Sequence, residues 1–130
     1  MTEEYKKIVV IDDSAASLAL YARAVETLNV SLASFQSSED GLFHLQQQPA
    51  DLVFLSNLIH GTDGLELLKR INELEHQADT PIIILSSKDY DQDRLLAQER
   101  GASDYLIKPV PASRIREMIT RYTGVQARSD

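Results

Sequence analysis

The sequence contains no cysteine, and its apolar runs are short. The absence of cysteine excludes a disulfide-stabilised scaffold and any zinc site with thiolate ligands. Near the N-terminus the apolar run Ile8–Ile11 is interrupted at once by two aspartates, so it is too short for the hydrophobic region of a signal peptide. No segment approaches the length of a membrane span. The sequence therefore predicts a cytoplasmic protein with no membrane association.

The sequence also has fewer positively charged than negatively charged residues. The chain has 13 lysine and arginine residues against 20 aspartate and glutamate residues, giving a formal net charge of -7 and a pI near 4.9. Proteins that bind nucleic acid concentrate positive charge on one face, because contacts to phosphates dominate their affinity. We therefore expect no direct nucleic-acid binding by this domain. If the protein regulates transcription, another domain contacts the DNA.

The remaining composition is that of one globular domain. The chain has 130 residues, of which 43% are hydrophobic and 25% charged, which is close to the average for folded proteins. We expect a single domain over residues 1–123 and a polar C-terminal tail over residues 124–130.

Apolar runs of strand length alternate with segments of helical periodicity. The predicted strands are Ile8–Ile11, Val30–Phe35, Leu52–Leu55, Ile82–Leu85 and Tyr105–Ile107. The first helix shows helical spacing of Leu18, Ala22, Val25 and Leu28, with Ser14 as its N-cap; the others follow Ser37, Gly64, residue 90 and Pro111. This alternation, with no room for hairpins, predicts an α/β fold whose five-stranded parallel sheet is covered by five helices on both faces.

In doubly wound sheets the functional groups lie at the carboxyl ends of the strands. Two acids, three hydroxyls and one lysine occupy these ends. They are Asp12 and Asp13 after the first strand, Ser56 after the third, Ser86 and Ser87 after the fourth, and Lys108 with Pro109 after the fifth. We expect these side chains to converge on one edge of the sheet.

These residues resemble the pattern of receiver domains in bacterial response regulators, including those like the chemotaxis regulators. The resemblance covers roughly residues 5–123 and includes the acidic pair, the hydroxyl of Ser86, the aromatic Tyr105 and the Lys108–Pro109 pair. It implies a flavodoxin-like doubly wound sheet of order 2-1-3-4-5 and a cis Lys108–Pro109 bond. It also implies membership of a two-component or phosphorelay signalling system.

The chain departs from the family pattern at two positions. The resemblance implies that Ser56 stands where receivers have the aspartate that accepts a phosphoryl group, and that His60 stands where proline is usual. In the family, Asp12, Asp13 and the backbone carbonyl at the position of Leu58 hold Mg²⁺. With one carboxylate missing, we expect Mg²⁺ binding to be weak or absent, because affinity for a hard dication follows ligand charge.

The resemblance also assigns roles to the other carboxyl-end residues. Ser86 and Tyr105 are the family's switch pair, and Ser87, Lys108 and Pro109 belong to its phosphate pocket. Without an acceptor carboxylate, Lys108 is left to pair with Asp12, Asp13 or a hydroxyl. We expect Ser56 to fill the place of the acid without being phosphorylated, because a serine becomes nucleophilic only beside a general base.

The sequence around Ser56 also allows other functions. Ser56, His60 and Asp63 could form a hydrolase triad, but the glycines of an esterase turn are absent, since Phe54 and Leu58 stand two residues to either side. A flavin-binding domain would need a loop rich in Ser, Thr or Gly after the first strand to bind phosphate, and this chain has the acidic sequence IDDSAAS there. The serine could also be an engineered replacement in an ordinary phosphoacceptor receiver.

The favoured hypothesis is an atypical receiver that is not an enzyme and acts through protein–protein contacts. Its expected partners are an output domain, a histidine kinase or a downstream effector. The expected surface is the face of the fourth helix, fifth strand and fifth helix, over residues 90–100, 104–105 and 114–121.

Overall fold

The computed structural model describes residues 5–128. Within them, five strands form the main sheet: β1 (Lys6–Ile11), β2 (Val30–Phe35), β3 (Leu52–Ser56), β4 (Ile82–Ser86) and β5 (Asp104–Ile107). The helices are α1 (Ala15–Ala24), α2 (Ser38–Gln47), α3 (Gly64–Asn72), α4 (Asp91–Glu99) and α5 (Ala112–Thr123). Two short 3₁₀ turns, Val25–Thr27 and Glu75–Gln77, follow α1 and α3.

The main sheet is parallel throughout, with strand order β2-β1-β3-β4-β5. Successive side chains of a strand point to opposite faces, so each central strand feeds two cores. On β1, Val9 and Ile11 pack with α2, α3 and α4, whereas Ile8 and Val10 pack with α1 and α5. Helices therefore cover both faces, and the predicted doubly wound fold and strand order are confirmed.

The loop after β3 differs from the expectation that the chain has no hairpin. Leu58–Ile59 and Thr62–Asp63 form a short antiparallel pair that turns through His60 and Gly61. The expectation was wrong because such short strands are too brief to leave a period-2 pattern in the sequence.

The buried stripe of α1 is also shifted from the predicted one. Tyr21 and Ala24 are buried, and Ala22 is exposed. The prediction was wrong at Ala22 because helix α1 ends at Ala24 and continues as a 3₁₀ turn, so the spacing to Leu28 does not follow one continuous α-helix. The consequence is that a tyrosine, rather than an alanine, faces the core below α1.

The segment after α5 contacts the body of the domain. Gly124 ends the helix with a positive φ of 80°, the Thr120 hydroxyl donates to the Val125 carbonyl, and the Arg128 amide donates to the Thr27 carbonyl at 2.8 Å. Residues 1–4 of the expected domain and 129–130 of the expected tail lie outside the described residues. No helix within residues 5–128 is long and apolar enough to cross a membrane.

Candidate functional site at the carboxyl edge of the sheet

Lys108 lies at the centre of the carboxyl edge. Its Nζ donates to Asp12 Oδ2 at 2.9 Å and to Ser56 Oγ at 3.2 Å, which joins the ends of β1, β3 and β5. The peptide bond from Lys108 to Pro109 is cis. A cavity of about 250 Å³ adjoins this cluster and is lined by Asp13, Ser56, Ser87 and Lys108 among others.

Asp12 is buried, with 1% of its surface exposed, and both of its carboxylate oxygens have partners. Oδ2 accepts from Lys108, and Oδ1 accepts from the backbone amide of Ser14 at 2.9 Å. A buried carboxylate is tolerated only when it is paired and hydrogen-bonded. Lys108 therefore supplies the positive charge that this buried acid requires.

Asp13 is held by the loop after β3. Its Oδ2 accepts from the backbone amide of His60 at 2.6 Å, and the His60 ring is largely exposed, with Nδ1 3.8 Å from the same oxygen. His60 has φ of 47°, in the left-handed region. Proline has φ fixed near −65° and no N–H, so it could neither adopt this conformation nor make this hydrogen bond.

The Ser56 hydroxyl both donates and accepts a hydrogen bond within this cluster. It donates to the Leu58 carbonyl at 3.2 Å and accepts from Lys108. Helix α3 begins directly against this strand end: a Cβ at Gly64 would lie 2.1 Å from the Ser56 carbonyl oxygen, so only glycine fits. The close approach of α3 restricts the backbone at Ser56 and Asn57.

Ser86 and Tyr105 are both buried and are linked through Lys88. The Ser86 hydroxyl accepts from the Lys88 amide at 3.1 Å, and the Tyr105 hydroxyl donates to the Lys88 carbonyl at 3.4 Å. The Arg94 guanidinium lies 5.0 Å from the centroid of the Tyr105 ring, within the range of a cation–π contact. Tyr105 thus lies inward, below an arginine of α4.

Asn57 is a site residue that sequence reasoning missed. Its Nδ2 donates to Ser86 Oγ at 3.4 Å, and its Oδ1 is buried without a partner among the described residues. An asparagine after a strand carries no distinctive pattern. Only the position next to Ser56 could have drawn attention to it.

The proposed hydrolase triad is not assembled. Ser56 bonds to Leu58 and Lys108 rather than to His60, whose ring is exposed. Asp63 caps α3, accepting from the Leu65 amide at 2.9 Å. Nucleophilic catalysis by serine needs a base within hydrogen-bond reach. The geometry does not provide one in His60.

Comparison with known proteins identifies the family. The family model for the response regulator receiver domain matches residues 8–120. The chain belongs to the response regulator receiver family. Similar curated proteins include the transcriptional regulatory protein AfsQ1 of Streptomyces coelicolor, 34% identical over 88% of this chain and 51% of that protein. The phosphate regulon regulator PhoB of Pseudomonas aeruginosa is 29% identical over 95% of this chain and 53% of that protein.

Solved structures share the fold. A receiver domain protein from Methanospirillum hungatei superposes with a TM-score of 0.84 at 20% identity, covering 91% of this chain and 93% of that one. The chain spans about half the length of the curated regulators that it matches. The predicted membership of the receiver family of two-component systems is confirmed.

Receiver domains are signalling modules that interact with histidine kinases and output domains, and they typically bind Mg²⁺. A Mn²⁺-bound form of the response regulator Rcp1 is among the similar structures, with a TM-score of 0.80 at 20% identity, covering 95% of this chain and 99% of that one. Within residues 5–128 of the present protein, no group of three or more His, Cys, Asp or Glu side chains is placed to hold a metal ion.

Proposed function

We propose that the protein is an atypical receiver of a two-component system that acts without phosphoryl transfer. The observation that carries this proposal is the Lys108 cluster, in which the Ser56 hydroxyl donates to the Leu58 carbonyl and accepts from Lys108. We propose that Ser56 stands where other receivers have the acceptor aspartate. Phosphorylation of a serine would need a base to remove the hydroxyl proton. Both oxygens of Asp12 are engaged, and Asp13 is bound to the loop.

The residues of the family's metal site fit Mg²⁺ poorly in this chain. Each of the three expected ligands already has a protein partner: Lys108 for Asp12, the His60 amide for Asp13, and the Ser56 hydroxyl for the Leu58 carbonyl. The missing third carboxylate also removes charge that a hard cation needs. We propose that Mg²⁺ binds weakly at most and has no part in the function.

The departure at His60 supports the same interpretation. Because proline has no N–H, a proline here would leave Asp13 Oδ2 without its 2.6 Å partner. The two departures from the family pattern therefore act together. Ser56 satisfies the Leu58 carbonyl and His60 satisfies Asp13, so the cluster is complete without a metal or a phosphoryl group.

The switch pair supports a single, fixed state. Ser86 and Tyr105 are both tied to Lys88, and Arg94 stacks on the Tyr105 ring. A receiver that changes state moves these groups when it is phosphorylated. We propose that Tyr105 here stays inward and that the surface above it is constant.

The constant surface is the α4-β5-α5 face, which we propose as the contact site for an output domain, a histidine kinase or a downstream effector. Its arginines form ion pairs within the chain, Arg114 with Glu117 at 2.9 Å and Arg121 with Asp104 at 3.5 Å. Leu95 on α4 and Tyr90 before it are exposed. Paired charges beside exposed apolar groups suit a specific protein interface better than a phosphate-binding one.

The proposal is tested by NMR spectra of the protein with and without acetyl phosphate and Mg²⁺. We expect the amide signals of Ser86, Lys88 and Tyr105 to stay unchanged in the native sequence. In the Ser56→Asp variant the same signals should shift, which controls for an active phosphodonor. A phosphodonor-dependent shift across the α4-β5-α5 face of the native protein would contradict the proposal.

A further inference from the structure

An apolar cavity of about 390 Å³ opens on the other side of Lys108, between α1 and the start of α5. Its walls include Ala16, Leu20 and Tyr21 from α1. They also include Val110 from the loop after β5 and Ile115 from α5. Small-molecule sites in proteins fall in this range of volume and have mostly apolar walls with a few polar groups. The cavity is thus the right size and composition for a small organic molecule.

Tyr21 provides the polar group of this cavity. Only 2% of its surface is exposed, and its ring packs against Phe54 with the centroids 5.2 Å apart. Within residues 5–128 its hydroxyl has no hydrogen bond to a side chain or backbone group, and it is not an enclosed unpaired atom, since Asn57 Oδ1 is the one such atom there. The hydroxyl therefore opens onto the cavity that Tyr21 lines, where it can donate to an external acceptor.

The charge around the hydroxyl restricts what can bind. Burial, and then the nearby Asp12 carboxylate, raise the pKa of Tyr21 far above its ordinary range, so the hydroxyl stays protonated and donates. Lys108 also lines the cavity, but its ammonium is already bound to Asp12 and Ser56. With the lysine charge balanced and a carboxylate close by, an anionic ligand gains little here.

We propose that this cavity binds a small neutral molecule with an apolar body and one acceptor oxygen, such as an aromatic ketone, held by a hydrogen bond from Tyr21. The cavity shares Leu85, Ser87 and Lys108 with the cavity at the carboxyl edge. A bound molecule would therefore contact Ser87 and Lys108, which the resemblance assigns to the phosphate pocket of receivers. The ligand site stands on its own geometry, whether or not Ser56 is phosphorylated.

Acetophenone and α-methylstyrene provide a matched pair of probes, because they have nearly the same shape and only the ketone has an acceptor. NMR titration of the full chain should show acetophenone shifting the amides of Ala16, Leu20 and Val110. Tyr21→Phe keeps the ring against Phe54 and removes the donor. We expect it to weaken acetophenone binding by about three- to tenfold, the worth of one hydrogen bond, and to leave α-methylstyrene binding unchanged.

A second pair of variants separates this cavity from other surfaces. Ala16→Leu fills the mouth of the cavity and should abolish binding of both probes, whereas Ala19→Leu, exposed on the same helix and outside the cavity, should not affect either. Absence of shifts at the lining residues, or equal effects of Tyr21→Phe on both probes, would overturn the proposal. Tighter binding of benzoate than of acetophenone would overturn the assignment of a neutral ligand.

Discussion

At the scale of the residue, the account depends on the proposal that Ser56 stands in place of a carboxylate at the end of β3. A serine has one proton to donate and lone pairs to accept with, and both capacities are used, toward the Leu58 carbonyl and from Lys108. An aspartate has no proton to give when ionised and would compete with Asp12 for the lysine. The consequences of that exchange can be measured directly.

Ser56→Asp should gain phosphorylation by acetyl phosphate, because the other carboxyl-edge residues match the receiver pattern. The third acid should lower the free energy of unfolding by about 1 kcal/mol without metal, through like-charge repulsion. Millimolar Mg²⁺ should recover that loss, since a ligand of the folded state stabilises it. Chemical denaturation and intact mass measure the two effects. Ser87→Asp, which adds an acid at the exposed edge, is the control and should not be phosphorylated.

His60→Pro, made in the Ser56→Asp background, should raise Mg²⁺ affinity several-fold. Proline removes the amide that occupies Asp13 Oδ2 and forbids the left-handed conformation of residue 60. Isothermal titration measures the affinity. His60→Asn is the matched control, because asparagine tolerates a positive φ and keeps the N–H. Equal affinity in the proline and asparagine variants would show that the amide of residue 60 does not restrict the metal site.

Lys108→Met should destabilise the fold by about 3 kcal/mol, because it leaves the Asp12 carboxylate buried without its positive partner. The double variant Asp12→Asn/Lys108→Met removes both charges and should recover most of the loss. Urea denaturation at neutral pH measures both. If the single and double variants were equally destabilised, the pairing of Lys108 with Asp12 would not be what stabilises this edge.

At the scale of the element, the strands and the convergence of their carboxyl ends could be predicted from the sequence, because buried parallel strands leave continuous apolar runs. The cap of α1 at Ser14 and that of α2 at Ser37 could also be predicted, and the structure has both. Features that depend on the φ and ψ angles of single residues could not be predicted from the sequence. His60 has a positive φ and its amide donates to Asp13, and neither feature can be recognised from the type of residue at position 60.

The position of Tyr21 was missed for a related reason. Tyrosine at 21 and alanine at 22 both allow a helical stripe, and the choice between them depends on where α1 becomes a 3₁₀ turn. Tyr21 packs against Phe54 of β3, and this tertiary contact cannot be read from the sequence of α1. The cavity below α1 therefore could not be predicted from the sequence.

Gln77 shows how side-chain hydrogen bonds connect elements that the sequence pattern leaves separate. It is fully buried, its Nε2 donates to the Leu45 and Gln48 carbonyls at 2.7 and 2.8 Å, and its Oε1 accepts from the Ala50 amide at 3.1 Å. The amide side chain thus closes the end of α2 against the turn that follows α3.

Gln77→Met keeps the length of the side chain and removes its hydrogen bonds. We expect a loss of about 2–4 kcal/mol in the free energy of unfolding, because buried backbone groups around it would be left unpaired. Denaturant titration measures the loss. Gln46→Met, on the exposed side of α2, is the control and should change stability little. A small effect of Gln77→Met would mean that water replaces the side chain.

At the scale of the whole molecule, charge and topology together define the proposed role. The net charge of -7 opposes contact with nucleic acid, and the helices on both faces of the sheet leave the carboxyl edge and the α4-β5-α5 face for recognition. We propose that the Lys108 cluster, whose charged groups are paired with one another, keeps that surface in one shape. In this account the chain contributes that surface to a two-component system without passing on a phosphoryl group.

The central claim is tested most directly by intact mass spectrometry of the native chain after incubation with acetyl phosphate and Mg²⁺. The account predicts an unchanged mass, because Asp12 is paired with Lys108, Asp13 Oδ2 is bound to the His60 amide, and the Ser56 hydroxyl is bound to Lys108 and the Leu58 carbonyl. The Ser56→Asp variant, treated in parallel, should gain one phosphoryl group. A phosphoryl group on the native chain, mapped to Ser56, would contradict the account.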